Sequence, residues 1–125
     1  MSYISHVDDR GFIRLTLSGS WPTLDELRLL RKDLDSRGPR DTVLADLRAV
    51  TQDFPYAEQV RSAVDLVRND QASNRRRRAV LVGSDVQFGI ARMFQALLPG
   101  EVEIFRDEQA AVDWLLQANP TSPSG

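Results

Sequence analysis

Cysteine is missing from this chain. Disulfides, zinc–thiolate sites and thiol nucleophiles are thereby excluded. His6 is the only histidine, and one imidazole without thiolates cannot build a zinc site alone. No metal and no cofactor are expected. The G-x-S-x-G elbow of a serine hydrolase is absent, so His6 reads as a structural residue on a strand. Neither G-x-G-x-x-G nor a Walker lysine occurs, which removes the common nucleotide cradles. Aromatic residues make up 7% of the chain, and none interleaves with the basic cluster as a base-stacking platform requires. No run approaches the roughly 20 apolar residues that span a bilayer. The first residues, MSYISHVDDRGF, lack the basic-then-apolar order of a signal peptide. The expectation is a cytoplasmic protein without stable membrane insertion, and not an enzyme.

What is present is enough for one core. A chain of 125 residues buries roughly two-thirds of the surface that its unfolded form exposes. Residues 1–74 carry 10 basic and 12 acidic side chains, and residues 79–125 carry 2 and 6. Arg75, Arg76, Arg77 and Arg78 are therefore a local basic cluster in a chain of net charge −2 and pI near 5.3. A phosphate-binding handle would draw its grip from such a cluster. The charge balance points instead to arginines at a sheet edge, paired with the many acids, and no nucleic acid is expected.

The periodicities give alternating strands and helices. YISHV and FIRLTLSG read as strands, joined through Asp9-Arg10-Gly11 as a β-hairpin. In WPTLDELRLLRKDLDSRGP, Thr23 and Glu26 have capping-box spacing, and Leu24, Leu27, Leu30 and Leu34 form one face. Gly38-Pro39 stops this helix. TVLADL is a buried strand and RAVTQDF a loop. Pro55 suits the first turn of a second helix, with Asp53 or Phe54 near its cap and Tyr56, Val60, Val64 and Val67 as its stripe. AVLVG is a strand. Ser84 or Asp85 caps the third helix, with Gln87 at capping-box distance from Ser84, and Ile90, Ala91, Phe94, Leu97 and Leu98 face inward. Gly89 within that helix suggests a close approach to the sheet. EVEIF is the last strand. Asp107 caps a last helix whose inward residues are Ala111, Trp114 and Leu115. The order ββαβαβαβα predicts an α/β fold: a mostly parallel sheet with an N-terminal antiparallel hairpin and right-handed crossovers. Residues 1–118 form one domain, and 119–125 read as a disordered tail.

The stretch AVLVGSDVQFGIARMFQALLPGEVEIFRDEQAAVDWL resembles the C-terminal half of the SpoIIAA-like family, which belongs with the STAS domains. The matching motifs are FGIARMF, Phe88 to Phe94; the strand end Ile104 to Asp107; and Ala111 with Trp114-Leu115. VLADLRAV, Val43 to Val50, is similar to the strand-and-loop signature before the regulatory STAS helix. The resemblance spans about residues 3 to 117. It implies a small regulatory module that contacts a protein partner or a second copy of itself. It also implies a phosphoacceptor serine at the start of the helix after this strand. Here Asp53 matches the family aspartate to within one residue, and Phe54 and Pro55 stand at the acceptor positions. Tyr56 is the only hydroxyl in that turn, so a serine switch of the usual kind is not expected.

Ligands of open α/β sheets bind beyond the carboxyl ends of the strands. Those ends carry Asp46, Asp53, Ser84, Asp85 and Arg106, which can converge there, although helix caps and ion pairs account for the same residue types. Phe54, Tyr56, Phe88 and Met93 can line an apolar slot if the second helix lifts. The candidate site residues are thus Asp53, Phe54, Tyr56, Ser84, Asp85, Phe88 and Arg106. The leading expectation is a regulatory protein-interaction module; the alternative is a domain that binds a small molecule or lipid. A partner packed on the outer face of the second helix would favour the first, and a pocket beneath that helix the second.

Overall fold

The computed structural model describes residues 1–36, 42–52, 55–68, 77–97 and 100–117. The Gly38-Pro39 and Pro99 breaks, Arg75, Arg76, Leu98 and the tail lie outside them. Five strands form one sheet in the order of the chain: β1 (Ser2–Val7), β2 (Ile13–Gly19), β3 (Thr42–Val50), β4 (Arg77–Leu81) and β5 (Glu101–Phe105). β1 runs antiparallel to β2, and the remaining neighbours are parallel. The helices are α1 (Leu24–Ser36), α2 (Ala57–Arg68), α3 (Asp85–Leu97) and α4 (Glu108–Gln117). The expected order ββαβαβαβα and mixed sheet are met.

The layering follows from handedness. Each parallel step goes to the next strand on the same side, so right-handed crossovers place α1, α2 and α3 on one face. Leu30 and Leu34 of α1 and Ile90 and Ala91 of α3 share a buried cluster there with Ile13, Leu15, Leu17, Val43, Leu47 and Val82. α4 has no further strand to reach and covers the other face. It packs Ala111, Val112 and Leu115 on Phe12, Leu44, Ala79 and Leu81. Alternate strand residues thus serve two cores, as a pleated sheet requires.

Local signals set most boundaries. The hairpin closes through the Gly11 N–H donating to the Asp8 carbonyl at 2.8 Å, with Gly11 at φ +102°, where a side chain would strain. Asp8 accepts the Arg10 backbone N–H and its Nε, and the Arg10 side chain pulls the Asp8 carboxyl down to about 2. The α1 capping box forms: Glu26 N–H donates to Thr23 Oγ1 at 3.3 Å, and Thr23 N–H to Glu26 Oε1 at 3.0 Å. Asp107 caps α4 through the Ala110 N–H.

Several expectations need correction. β3 does not end at Leu47 but runs on through Arg48-Ala49-Val50. One extra β3 residue bulges between the Thr16–Asp46 and Ser18–Ala49 pairs, and the ladder then continues. β4 begins two residues before Ala79, because Arg77 and Arg78 pair with both Thr42-Val43 and Glu101-Val102. Pro55 precedes α2 instead of opening it. Val60 N–H donates to the Tyr56 carbonyl, and Gln59 Oε1 accepts the Tyr56 N–H at 2.8 Å. Tyr56 is therefore the N-cap and points away from the stripe, 74% exposed. Gly89 is not a point of close approach, since a Cβ there would meet nothing within 4 Å. Leu97 is likewise exposed.

Candidate functional site

α2 packs chiefly against α1. Its only fully buried side chain is Val64, among those described. Beneath it lies a cavity of about 160 Å³. The sheet contributes Leu17, Leu47, Val80, Val102 and Arg78; α3 contributes Ala91 and Phe94; α2 contributes Gln59 and Ala63. Trp21, Pro22, Leu27 and Pro55 complete the wall. The space follows from side-chain size. Ala63 and Ala91 each offer one methyl where a larger residue would close the gap between two helices and the sheet.

A cycle of hydrogen bonds frames the cavity. Trp21 N–H donates to Gln52 Oε1 at 2.9 Å, and its Nε1–H to the Gln52 carbonyl at 3.0 Å. Gln52 Nε2 donates to Gln59 Oε1 at 3.3 Å, and Gln59 Nε2 to the Trp21 carbonyl at 2.9 Å. The strap before α1, the end of β3 and the first turn of α2 are thereby tied together. Both ends of the Gln59 amide and the indole N–H are occupied within this cycle. The surface turned toward the cavity is consequently almost wholly apolar. The pocket is partly open to solvent, and an apolar space on the order of 150 Å³ is the size that accepts a benzene-sized guest.

The strand ends on the α4 face hold a separate ionic group. Asp46, buried at 6% exposure, accepts two bonds from the Arg48 side chain at 3.0 and 2.9 Å. Glu108 bridges Arg14 at 2.7 Å and Arg48 at 3.0 Å. Burial works to raise the Asp46 carboxyl, but hydrogen bonds from Arg48 and the charges of Arg48 and Arg14 bring it below its usual range. The Arg14 hydrogen bond lowers Glu108 in the same way. Two arginines against two carboxylates leave no net charge to hold an anion. No group of three His, Cys, Asp or Glu side chains placed to hold a metal occurs among the described residues.

The predicted site residues divide between these places. Ser84 is the α3 N-cap, accepting the Gln87 N–H at 3.1 Å. Asp85 pairs with Arg106 at 2.6 Å, and the Arg106 guanidinium lies 5.2 Å from the Phe88 ring centre. Asp46 lies on the opposite face with Arg48, so the suggested convergence does not form. Asp53 and Phe54 lie outside the described residues. Tyr56, Phe88 and Met93 do not line the cavity; Phe94 takes the place expected of its neighbours. Gln52, Gln59 and Ala63 were missed, and the two inward alanines were the signal available for the space. In the basic cluster, Arg77 pairs with Glu101 at 2.5 Å and stacks 4.7 Å from the Trp114 ring centre. The expected pairing with an acid is met at Arg77, but not at a sheet edge, since β4 lies between β3 and β5.

Neither a protein-family model nor a curated protein matches this chain. Among solved structures, the chain is similar to an uncharacterized protein of the DUF3478 family with a SpoIIAA-like fold from Shewanella loihica PV-4. The identity is 18%, the match covers 91% of this chain and 92% of that one, and the TM-score is 0.68. The chain has the SpoIIAA-like fold that its motifs implied. None of its described helices is long and apolar enough to cross a membrane.

Proposed function

We propose that this chain is a non-enzymatic, STAS-type regulatory module that takes up a small apolar molecule beneath α2. The observation that carries the reading is the apolar cavity of about 160 Å³ under that helix. The turn that would hold a phosphoacceptor serine reads Asp53-Phe54-Pro55-Tyr56, so occupancy of the cavity takes the place of phosphorylation as the input to α2. The volume suits one aromatic ring or a short branched alkyl group, not a whole acyl lipid. With its nearby amides committed to one another, the site selects by shape and apolar area.

Toluene titration followed by calorimetric unfolding tests this. A ligand at 100 times its dissociation constant stabilises the native state by about 2.7 kcal/mol, so the melting temperature should climb with toluene. Ala63→Phe, which fills the space, should remove the response. An unchanged melting temperature in the wild type at saturating toluene would sink the reading. A second reading, contact with a protein partner, is favoured by Tyr56, which stands 74% exposed at the first turn of α2.

A further inference from the structure

Arg78 lines the cavity beneath α2 at a place where a covered sheet ordinarily carries an apolar side chain. Alternate residues of β4 take opposite faces. Ala79 and Leu81 lie in the α4 core, so Arg78, Val80 and Val82 face the three-helix side. Val82 is fully buried there. Arg78 pairs in register with Val43 of β3 and Val102 of β5, and both valines are buried. A charge among them is uncommon, because parallel strands under helices read as near-continuous apolar runs.

The position is open enough for a guest to reach. β4 has a strand on each side, yet Arg78 and Val80 are only half-buried, and so are Ala63 of α2 and Phe94 of α3 in the same wall. The surface toward the cavity is almost wholly apolar. Arg78 therefore lends the wall its methylene stem and carries the guanidinium toward the opening, as long basic side chains do. Among the described lining residues it is the one charged side chain, and no Asp or Glu joins it. Arg78 also has an interaction within the chain, but a guanidinium has five N–H donors and so has more to give.

We infer that the guest beneath α2 is a small carboxylate, an aromatic or branched-alkyl acid with its apolar end in the cavity and its carboxylate on Arg78. The inference rests on the ligand-binding reading above and adds a charge to it. The wall sets the size and shape of the guest, and Arg78 sets its sign. A planar carboxylate matches the guanidinium fork with two parallel N–H···O bonds. At a half-buried site such a pair is screened less than one on the open surface. A cationic guest would meet like charge at the same point, and a neutral one would leave the fork unused.

Isothermal titration calorimetry of the full chain with phenylacetate, its neutral isostere phenylacetamide, and toluene tests this. Phenylacetate should bind at least about tenfold tighter than phenylacetamide, the worth of one charge-assisted hydrogen bond. Arg78→Met keeps the stem and removes the charge, so it should abolish that preference. Its circular dichroism spectrum reports whether it folds; if it does not, the wild-type comparison decides alone. Ala63→Phe should remove phenylacetate binding, which places the acid in the cavity. Equal affinity for acid and amide in the wild type, with toluene still bound, would overturn the inference and leave the cavity reading standing. So would a preference that survives Arg78→Met, or phenylacetate binding untouched by Ala63→Phe. If none of the three compounds binds, the cavity reading fails and this inference falls with it.

Discussion

Gln87 is 7% exposed and uses its amide to join two segments. Its Oε1 accepts the Gly83 N–H at 2.8 Å, and its Nε2 donates to the Val50 carbonyl at 3.1 Å. The residue that was expected to close a capping box on Ser84 instead ties the start of α3 to the end of β3. Buried backbone groups stripped of their partners each lose about 1–3 kcal/mol. Gln87→Leu keeps the bulk and removes both bonds; the buried one is that to the Val50 carbonyl, so the change should cost about 1–3 kcal/mol in urea unfolding. A cost below about 0.5 kcal/mol would mean that water replaces the amide without penalty.

At the scale of elements, Gly89 gives the plainest case. It lies within α3, exposed, with open space where a Cβ would go. Gly89→Ala should stabilise the protein by about 0.5–1 kcal/mol, the propensity difference in a helix interior, read as a higher urea midpoint. A lower midpoint would show that the glycine makes room for something outside this chain. The glycine illustrates where reading the sequence stops. Caps and hairpins were legible because their partners lie within four residues: Thr23 with Glu26, Asp107 with Ala110, Asp8 with Gly11. The extension of β3 was not, since it depends on a bulge opposite Thr16 and Ser18, some thirty residues away. The start of β4 depends likewise on distant partners. A pocket beneath the second helix was among the alternatives, but its lining escaped for the same reason. It arises from Ala63 and Ala91 being small in two different helices, together with a glutamine cycle between Trp21, Gln52 and Gln59. Apart from the small size of the two alanines, none of these residues marks itself by type or spacing.

For the whole molecule, acid is the informative stress. The Asp8, Asp46, Glu108 and Glu26 carboxyls all sit below their usual range. For Glu26, the Thr23 backbone N–H is the main cause. A carboxyl depressed by folding contributes stability that is complete above its unfolded value near 4 and is lost as the pH falls through its folded value. The urea midpoint should therefore be level above about pH 5 and fall steeply from about pH 4 toward 2, reaching the folded value of Asp8 at about 2. Asp8→Asn should make the lowest part of that fall shallower. A slope identical in the variant would remove Asp8 from the account.

The sheet order β1 to β5 repeats the order of the chain, and this has a consequence during synthesis. A polypeptide leaving the ribosome presents its strands one at a time, and here each newcomer finds its neighbour already waiting. The three-helix face can be roofed as it emerges, α1 after β2, α2 after β3 and α3 after β4. The opposite face cannot. Phe12, Leu44, Ala79 and Leu81 have no cover until Ala111, Val112 and Leu115 appear. A nascent chain stalled short of α4 is thus a finished sheet with one bare apolar side, a form that chaperones would hold until the last turn of helix is released.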